Sequence, residues 1–247
     1  MFDRLRAAGF QIEFASHAEA ITSLDFPDVG RDLELALSDV RLPITEIVGG
    51  GGGETQLTQR LRRGFHDLGW RKRNIKIEKL VDGVIDEEAT KSHEIDHFHA
   101  TPKGSFALEI EWNNKDPFFD RDLENFKRLH AEGVISIGSI VTRGSELQSS
   151  LKDMIRLWAE RENIQSFADL KNRGFKRPTE RQEQIVEVLV TRGETFPAAW
   201  SHMFFNDKFG MATTHWSKLQ ERLRRGVGNP CPLILVGLPP TIVDMSC

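Results

Sequence analysis

The sequence predicts an α/β fold in which helices flank a central mixed β-sheet. Amphipathic segments with apolar residues at helical spacing alternate along the chain with short, continuously apolar segments at 134–141 and 232–240, which are typical of buried strands. Between them, residues 93–112 alternate apolar and polar side chains on both sides of a Pro/Gly turn, which predicts a β-hairpin. Helices that alternate with strands, together with this central hairpin, favour the α/β class.

The composition is that of an ordinary globular protein. Its 247 residues, 39% hydrophobic and 28% charged, suffice for one large domain with a buried core. The two cysteines, Cys231 and Cys247, are too few for a disulfide framework and predict reduced thiols in a cytoplasmic protein. The sequence shows no apolar run of membrane-spanning length and no signal-peptide core. It also has no tyrosine, which excludes a mechanism built on a tyrosine nucleophile.

Periodicity predicts the individual elements. Five glycines at 49–53 predict a flexible hinge, and a helix is expected to begin near Glu54. Residues 181–193 fit either a helix or a strand, and residues 202–216, which have no clean period, are interpreted as a long loop with aromatic anchors. The other clear elements are 33–40, 43–48, a strand at 74–80, and helices at 120–133, 149–163 and 217–225.

Positive charge is clustered although the net charge is −4. Residues 54–80 carry eight Lys or Arg against three acidic residues, and smaller basic clusters lie at 171–181 and 218–225. Each cluster alone fits a solvated helix face, whereas three clusters in an acidic chain suggest a surface that binds phosphate groups.

Residues 93–97 read His-Glu-Ile-Asp-His, which matches the H-E-x-x-H motif of zinc proteases. That motif works on a helix, where the two histidines share a face. Here the segment is followed by Thr-Pro-Lys-Gly at 101–104, which is turn chemistry, and then by a second alternating segment. The surroundings therefore predict a strand, and they disfavour a zinc site.

The turn sets the register of the hairpin. If residues 101–104 form its tip, Asp96 lies opposite Glu109, and Glu111 shares their face. Directly opposed carboxylates destabilise a sheet unless a cation lies between them. The pattern therefore predicts a hard-oxygen site for Mg²⁺ or Mn²⁺.

The opposite face of the hairpin is predicted to be the buried one. It should carry Ile95, Leu108, Ile110 and Trp112, with His97 and His99 also away from the carboxylates. Two alternatives stay open at this point: a β-bulge would shift the register by one residue, and the acidic side chains would also fit a solvated structural hairpin.

An ordered set of short motifs resembles the BglII/BstYI group of type II restriction endonucleases, within the PD-(D/E)xK nuclease superfamily. The matching segments are Ile95-Asp96, Glu109-Ile110-Glu111, Trp112-Asn113, Gly69-Trp70, Lys72-Arg73-Asn74-Ile75, Ile140-Val141-Thr142-Arg143-Gly144 and 235–238. They span most of the chain between residues 54 and 240.

The resemblance implies Mg²⁺-dependent hydrolysis of double-stranded DNA at a palindromic site by a homodimer, with Mn²⁺ able to replace Mg²⁺. It implies a restriction-endonuclease-like core in one nuclease domain, 1–247. Within that domain we expect an N-terminal arm at 1–50, a catalytic core at 51–145 and the DNA-recognition elements within 146–247.

The resemblance also implies roles for single residues. Asp96 and Glu109 would bind the metal, with the backbone carbonyl of Ile110 as a third oxygen ligand. Glu111 stands where most of the superfamily has lysine, and it would orient or deprotonate the attacking water or hold a second metal. Asn74 would help to place that water. Glu54 is an additional candidate, although an acidic residue at a helix start is also favoured by the helix dipole.

Candidate DNA-binding residues come from basic and polar segments. The basic helix after the glycines, with Arg62 and Arg63, could contact the phosphate backbone. Hydrogen-bonding groups that could read bases are Arg143, Asn206, Lys208, Thr213, Thr214 and His215, although the same segments also fit solvated loops. Two other function classes remain: a repair or structure-specific nuclease of the same fold, and a metal-independent carboxylate-pair hydrolase such as a glycosidase.

Overall fold

The computed structural model describes residues 1–49 and 54–246, excluding the side chains of residues 87–91. The strands are β1 Gln11–Ala15, β2 Leu42–Pro43, β3 Arg71–Val81, β4 Val84–Thr101, β5 Gly104–Glu111, β6 Ile137–Arg143, β7 Leu233–Leu238 and β8 Val243–Asp244. The helices are α1 Asp3–Ala7, α2 Ala18–Asp25, α3 Pro27–Ser38, α4 Ile44–Val48, α5 Gln56–Asp67, α6 Phe118–Ala131, α7 Ser145–Arg161, α8 Phe167–Asn172, α9 Glu180–Thr191, α10 Phe196–Phe209 and α11 Trp216–Arg224.

The central sheet has six strands in the order β1-β7-β6-β5-β4-β3. Strands β5, β6 and β7 run parallel to one another. Strand β1 is antiparallel to β7 and β4 is antiparallel to β5, whereas β3 is antiparallel to β4 and so runs in the same direction as β5. The strands β6 and β7 are buried along their whole length, as their apolar sequences predict. The predicted α/β class with a mixed central sheet is confirmed.

Helices cover both faces of the sheet and divide the core into two clusters. On β5, Phe106, Leu108 and Ile110 pack in a cluster with α5 and α7, whereas Ala107 packs in a second cluster with α6 and α11. This alternation follows from the two-residue period of a strand. We call the two sides of the sheet the α5 face and the α6 face.

Residues 1–49, which the sequence suggested as an arm, are integrated into this fold. Strand β1 is an edge strand of the central sheet and pairs antiparallel with β7. Helix α3 contains most of the segment 33–40 and buries Val29, Leu33 and Leu37 in the α5-face cluster. Residues 50–53, and with them most of the predicted glycine hinge, lie outside the described residues.

The interpretation of residues 202–216 as a loop is wrong for residues 202–209, whereas residues 210–215 do connect α10 to α11 without forming a helix. Helix α10 continues to Phe209, so Asn206 and Lys208 are helical. This helix packs against both α7 and α9, and it buries residues on several sides, including Trp200, Met203 and Phe209. A helix buried between two neighbours has no single polar face, which is why its apolar period is unclear.

The ambiguous segment 181–193 is a helix rather than a strand. Helix α9 begins with a capping box in which Thr179 accepts a hydrogen bond from the backbone of Gln182 and the Gln182 side chain accepts one from the backbone of Thr179. The thiol of Cys231 is buried and free, as predicted, and Cys247 lies outside the described residues. Among the described residues, none of the helices has the length and apolar character that a bilayer crossing requires.

Candidate active site

The β4–β5 hairpin has the register that its turn predicted. The pairs run from Thr101 opposite Gly104 down to His97 opposite Leu108. The Thr101 side chain closes the tip, because its oxygen accepts hydrogen bonds from the backbone of Lys103 and Gly104. The turn residues therefore place the start of this hairpin without help from distant contacts.

A β-bulge interrupts β4 at the carboxylate site. On the neighbouring strand β3, Arg71 pairs with Phe98 but Arg73 pairs with Ile95. Two residues of β4, Asp96 and His97, therefore lie opposite the single residue between them on β3. A bulge of this kind reverses the faces of the residues that precede it.

The bulge corrects one part of the predicted hairpin. Ile95 was expected beside Leu108 and Ile110, but it packs on the α6 face with Phe98 and Ala107. Glu94, which a regular hairpin would place near Glu111, instead forms an ion pair with Lys72 at 2.7 Å. The simple alternation of faces fails here because it assumes an uninterrupted ladder.

The bulge also separates the two histidines of the H-E-x-x-H motif. His93 is buried and its Nδ1 lies 2.9 Å from Oδ1 of Asn125 on α6. His97 packs on the other face, with its ring centroid 5.5 Å from that of Phe65. Burial lowers the pKa of His97, and its Nδ1 hydrogen-bonds the carbonyl oxygen of Leu108. The two rings therefore cannot share one metal ion.

Asp96 and Glu109 meet at the mouth of a cleft on the α6 face. The backbone N–H of Asp96 donates to Oε1 of Glu109 over 3.3 Å. The side chain of Asp96 is 55% exposed, whereas Glu109 as a residue is only 5% exposed. The residues that line this cleft are Ser92, His93, Glu94, Asp96, Glu109, Arg121, Asn125 and Arg128.

Glu111 lies two residues beyond Glu109 on the same strand and is buried. Its Oε2 accepts a hydrogen bond of 2.7 Å from Nδ2 of Asn114. Burial, and then the carboxylate of Asp122, raises the pKa of Glu111 to about 9. Burial likewise raises the pKa of Glu109 well above its ordinary value, and the charges of Asp122 and Asp96 add to this.

Asp122 on α6 is a member of this group that the sequence interpretation missed. It is 1% exposed, and burial raises its pKa even though the adjacent Arg121 opposes the shift. It occupies the apolar stripe of α6, alongside Phe119, Leu123 and Phe126. An acidic residue at a core position of an amphipathic helix was a signal in the sequence that would have found it.

The cluster of carboxyl groups is short of compensating charge. Three of its members, Glu109, Glu111 and Asp122, are almost fully buried, and each has a raised pKa. Burial and mutual repulsion both disfavour the charged forms of these groups. Such an arrangement is expected where a bound cation completes the charge balance.

A comparison with protein families identifies the chain at this point. The family described as restriction endonuclease BglII/BglIII matches residues 10–238, which is most of the sequence. The chain belongs to this family. It is therefore a type II restriction endonuclease, a site-specific deoxyribonuclease that acts on DNA. A search of curated proteins gives no significant match.

The endonuclease family uses divalent metal ions, and the donor chemistry of the cleft fits such an ion. Among the described side chains, no three His, Cys, Asp or Glu residues are arranged to hold a metal. The oxygens are nevertheless of the hard type that Mg²⁺ prefers. Among the described residues, Oδ2 of Asp122 is buried without a hydrogen-bond partner.

Two further candidates of the endonuclease, Asn74 and Glu54, do not line the cleft. Asn74 on β3 pairs with Glu94, and its Oδ1 accepts a 2.8 Å hydrogen bond from Ser92. Glu54 forms an ion pair with Arg62 at 3.0 Å. The side chain of Arg62 is 53% exposed, and Arg63 is exposed as well, so both guanidinium groups can reach a ligand.

Arg143 was predicted to contact DNA, but its side chain is inaccessible in the endonuclease. The residue is 0% exposed. Its guanidinium donates to Oδ1 of Asn113 over 3.1 Å and to the carbonyl oxygen of Thr214 over 2.7 Å. The same group lies over the ring of Phe209, 5.0 Å from its centroid. Arg143 therefore ties the end of β5 to the segment that precedes α11.

The polar residues that were predicted to read bases differ in their exposure. Thr214 and His215 are buried, and Thr213 is half-buried with its hydroxyl bound by Arg143 at 2.7 Å. Asn206 is exposed and Lys208 is half-buried on α10. As placed, only these last two of the predicted base-reading residues are open to a ligand.

Proposed function

We propose that the endonuclease hydrolyses phosphodiester bonds of double-stranded DNA at a short palindromic site, with Mg²⁺ as cofactor and Mn²⁺ as a substitute. The observation that carries this proposal is the convergence of Asp96 and Glu109 on one cleft, with the buried carboxyl groups of Glu111 and Asp122 close enough to raise the pKa of Glu109. Carboxylates that crowd together without enough cations favour a divalent metal ion.

Asp96 and Glu109 would hold the metal ion, with the backbone carbonyl of Ile110 between the two glutamates as a third oxygen. When bound, the cation supplies positive charge against the phosphoryl oxygens and the attacking water. Asp96 is exposed enough to meet a phosphate at the mouth of the cleft, whereas Glu109 is anchored inside by the Asp96 backbone. A metal ion held by this pair would therefore have one buried ligand, Glu109, and one solvent-exposed ligand, Asp96.

Glu111 would orient the attacking water or accept its proton. Its hydrogen bond from Asn114 fixes one carboxyl oxygen, and the other lies 3.6 Å from Nη2 of Arg121. A general base needs a defined position, which these two contacts supply. Without a cation the raised pKa keeps Glu111 protonated near neutral pH, and the positive charge of a bound metal ion would lower that pKa toward the working pH. Asn74 would support the water from the β3 side.

The DNA contacts are divided between positioning and recognition. Arg62 and Arg63 on α5 would bind the phosphate backbone, which fixes the position of the duplex but does not read its sequence. Asn206 and Lys208 on α10 would contact base edges. A homodimer would apply the same residues to both halves of a palindrome, because its two-fold axis matches that of the site.

We further propose that the chain acts as one nuclease domain in the cytoplasm, where the DNA attacked by a restriction enzyme is found. The integration of β1 into the central sheet supports a single domain. The pairing of β1 with β7 places both ends of the matched region side by side.

Digestion of a plasmid of known sequence tests the proposal. The purified chain should produce discrete bands in Mg²⁺ or Mn²⁺ and none in excess chelator, and sequencing of the fragment ends should show a palindromic site. Smears or nicks would point to a repair or structure-specific nuclease. Activity that survives the chelator would point to a metal-independent hydrolase. Sedimentation of the protein with and without a site-containing duplex would show whether it is a dimer.

A further inference from the structure

Arg121 on α6 places a guanidinium group at the carboxylate cleft. Its side chain is 54% exposed and lines the cleft together with Asp96 and Glu109. Its Nη2 lies 3.6 Å from Oε1 of Glu111. The sequence interpretation assigned no role to this residue.

The guanidinium is held in a defined orientation. Its Nε and Nη2 both reach Oδ1 of the buried Asp122, at 2.8 and 2.7 Å. On its other side, the guanidinium carbon lies 4.3 Å from the centroid of the Phe118 ring, a cation–π distance. The contacts of Arg121 with described side chains use Nε and Nη2, and none of them uses Nη1. A donor fixed in this way loses little entropy when it binds a ligand.

Among the described side chains, two other cations near the cleft, Lys72 and Arg128, are placed less favourably. Nζ of Lys72 is 2.7 Å from the carboxylate of Glu94 and 3.7 Å from that of Asp96, so its main ion pair is with Glu94. Arg128 is exposed at the rim and has no ion pair or hydrogen bond to a described residue. Neither of them is anchored by a buried carboxylate as Arg121 is.

We propose that Arg121 contacts the scissile phosphate of bound DNA and stabilises the negative charge that builds on its oxygens during cleavage, with Asp122 as the residue that positions it. This inference rests on the proposed phosphodiester hydrolysis. Donors that are oriented before the reaction and aimed at developing charge make large contributions to catalysis. A guanidinium is well suited to the task because it stays charged and binds phosphate through paired N–H groups.

The test distinguishes the effect of Arg121 on cleavage from the effect of losing its ion pair with Asp122. Replacing Arg121 alone would leave the buried Asp122 without its partner and could unfold the protein. We therefore compare Asp122→Asn with the double variant Arg121→Gln/Asp122→Asn, because neither contains an unpaired Asp122. Lys127→Gln, on the same helix but outside the cleft, is the control for loss of one positive charge.

The substrate is a linear DNA fragment that carries the site mapped by the plasmid digest. Single-turnover cleavage is measured with enzyme in excess and Mg²⁺ present, and affinity is measured by titration without Mg²⁺. We expect the double variant to cleave about 100-fold more slowly than Asp122→Asn, with DNA affinity within a few-fold. Added guanidinium ion should restore part of the rate of the double variant. Lys127→Gln should cleave at the wild-type rate.

Three outcomes would overturn the inference. The first is cleavage by the double variant as fast as by Asp122→Asn. The second is a loss of DNA affinity in the double variant that parallels its loss of rate. The third is the absence of any effect of added guanidinium on the double variant. A wild-type protein that fails to cut DNA in Mg²⁺ would instead refute the proposed function. The two failures are therefore distinguishable.

Discussion

The backbone N–H of Asp96 donates to Oε1 of Glu109 over 3.3 Å, at the bulge where β4 changes its register against β3. The contact uses the main chain of one residue and the side chain of the other. Asp96 is thereby located by its backbone, and its carboxylate remains available to a ligand at the mouth of the cleft. The bulge, rather than regular strand alternation, creates this arrangement.

Replacement of Asp96 or Glu109 by alanine should abolish cleavage. We expect rates at least about 1,000-fold lower in Mg²⁺, because metal-ion catalysis contributes several kcal/mol to the barrier. Circular dichroism and binding to the mapped site should remain close to wild type. Glu124→Ala, which removes a carboxylate of α6 that pairs with Lys127 outside the cleft, is the control. Near-normal cleavage by either site variant would show that the metal lies elsewhere.

Glu111→Lys should be inactive or severely impaired, although it restores the residue that most of the superfamily has at this position. The new ammonium would be buried beside Arg121 and would repel both that guanidinium and a bound cation. Glu111→Gln, which keeps the volume and removes the charge, is the matched variant and should lose activity with a better preserved fold. Cleavage at the wild-type rate by the lysine variant would show that Glu111 has no role in catalysis.

Lys208 and Arg63 should affect DNA binding in different ways. Lys208→Ala should weaken binding to the mapped site by roughly 1–3 kcal/mol and change binding to a scrambled duplex little. Arg63→Ala should weaken both duplexes similarly and flatten the salt dependence, because its contact is to phosphate. The measurement is a titration of both duplexes at two salt concentrations. Equal losses on both duplexes for Lys208→Ala would place sequence recognition outside α10.

Arg143→Met should destabilise the protein rather than alter recognition. The substitution removes three hydrogen bonds and leaves the buried carbonyl of Thr214 and the half-buried amide oxygen of Asn113 without their donor. A loss of about 2–4 kcal/mol in the free energy of unfolding is expected. Urea denaturation measures this, with the exposed Arg63→Met as the control. A loss below about 0.5 kcal/mol, typical of surface substitutions, would contradict the buried position.

Thr214→Ala should lower the stability of the protein, as Arg143→Met does, and should not weaken DNA binding as Lys208→Ala does. The Thr214 hydroxyl accepts a hydrogen bond from the backbone of Asn114 at 3.1 Å and is fully buried. Its loss should cost about 1 kcal/mol of stability. Specific and non-specific DNA affinity should both be retained in the folded fraction.

His215 should make the protein less stable in mild acid. Burial, and then the positive charge of Arg143, lowers the pKa of His215 to about 4 from its ordinary value of 6.5. The unfolded state therefore binds the proton first, and stability is lost as pH falls from 6.5 toward 4. His215→Phe should show a smaller decline in Tm across this window. Parallel pH profiles for the two proteins would show that His215 does not titrate there.

The local features of the hairpin and the fold class could be predicted from the sequence. Thr101, Pro102 and Gly104 define a turn whose register depends on a few neighbouring residues, so the pairing of His97 with Leu108 followed directly. The apolar strand β7 and the amphipathic helix α6 were also visible, because burial leaves a periodic pattern in the chain. The carboxyl groups were found as a cluster for the same local reason.

The tertiary structure decided which side chains face the cleft and which are buried. The bulge at Asp96 depends on how β3 pairs with β4, and it moved Ile95 to the α6 face. Asp122 joins Glu111 only because α6 packs across β5, and Arg143 is buried only because α10 and the segment before α11 close over it. These contacts link residues far apart in sequence, and no short-range pattern records them. Short stretches of sequence thus determine which chemical groups the chain carries, whereas tertiary packing determines which of those side chains are exposed to a ligand.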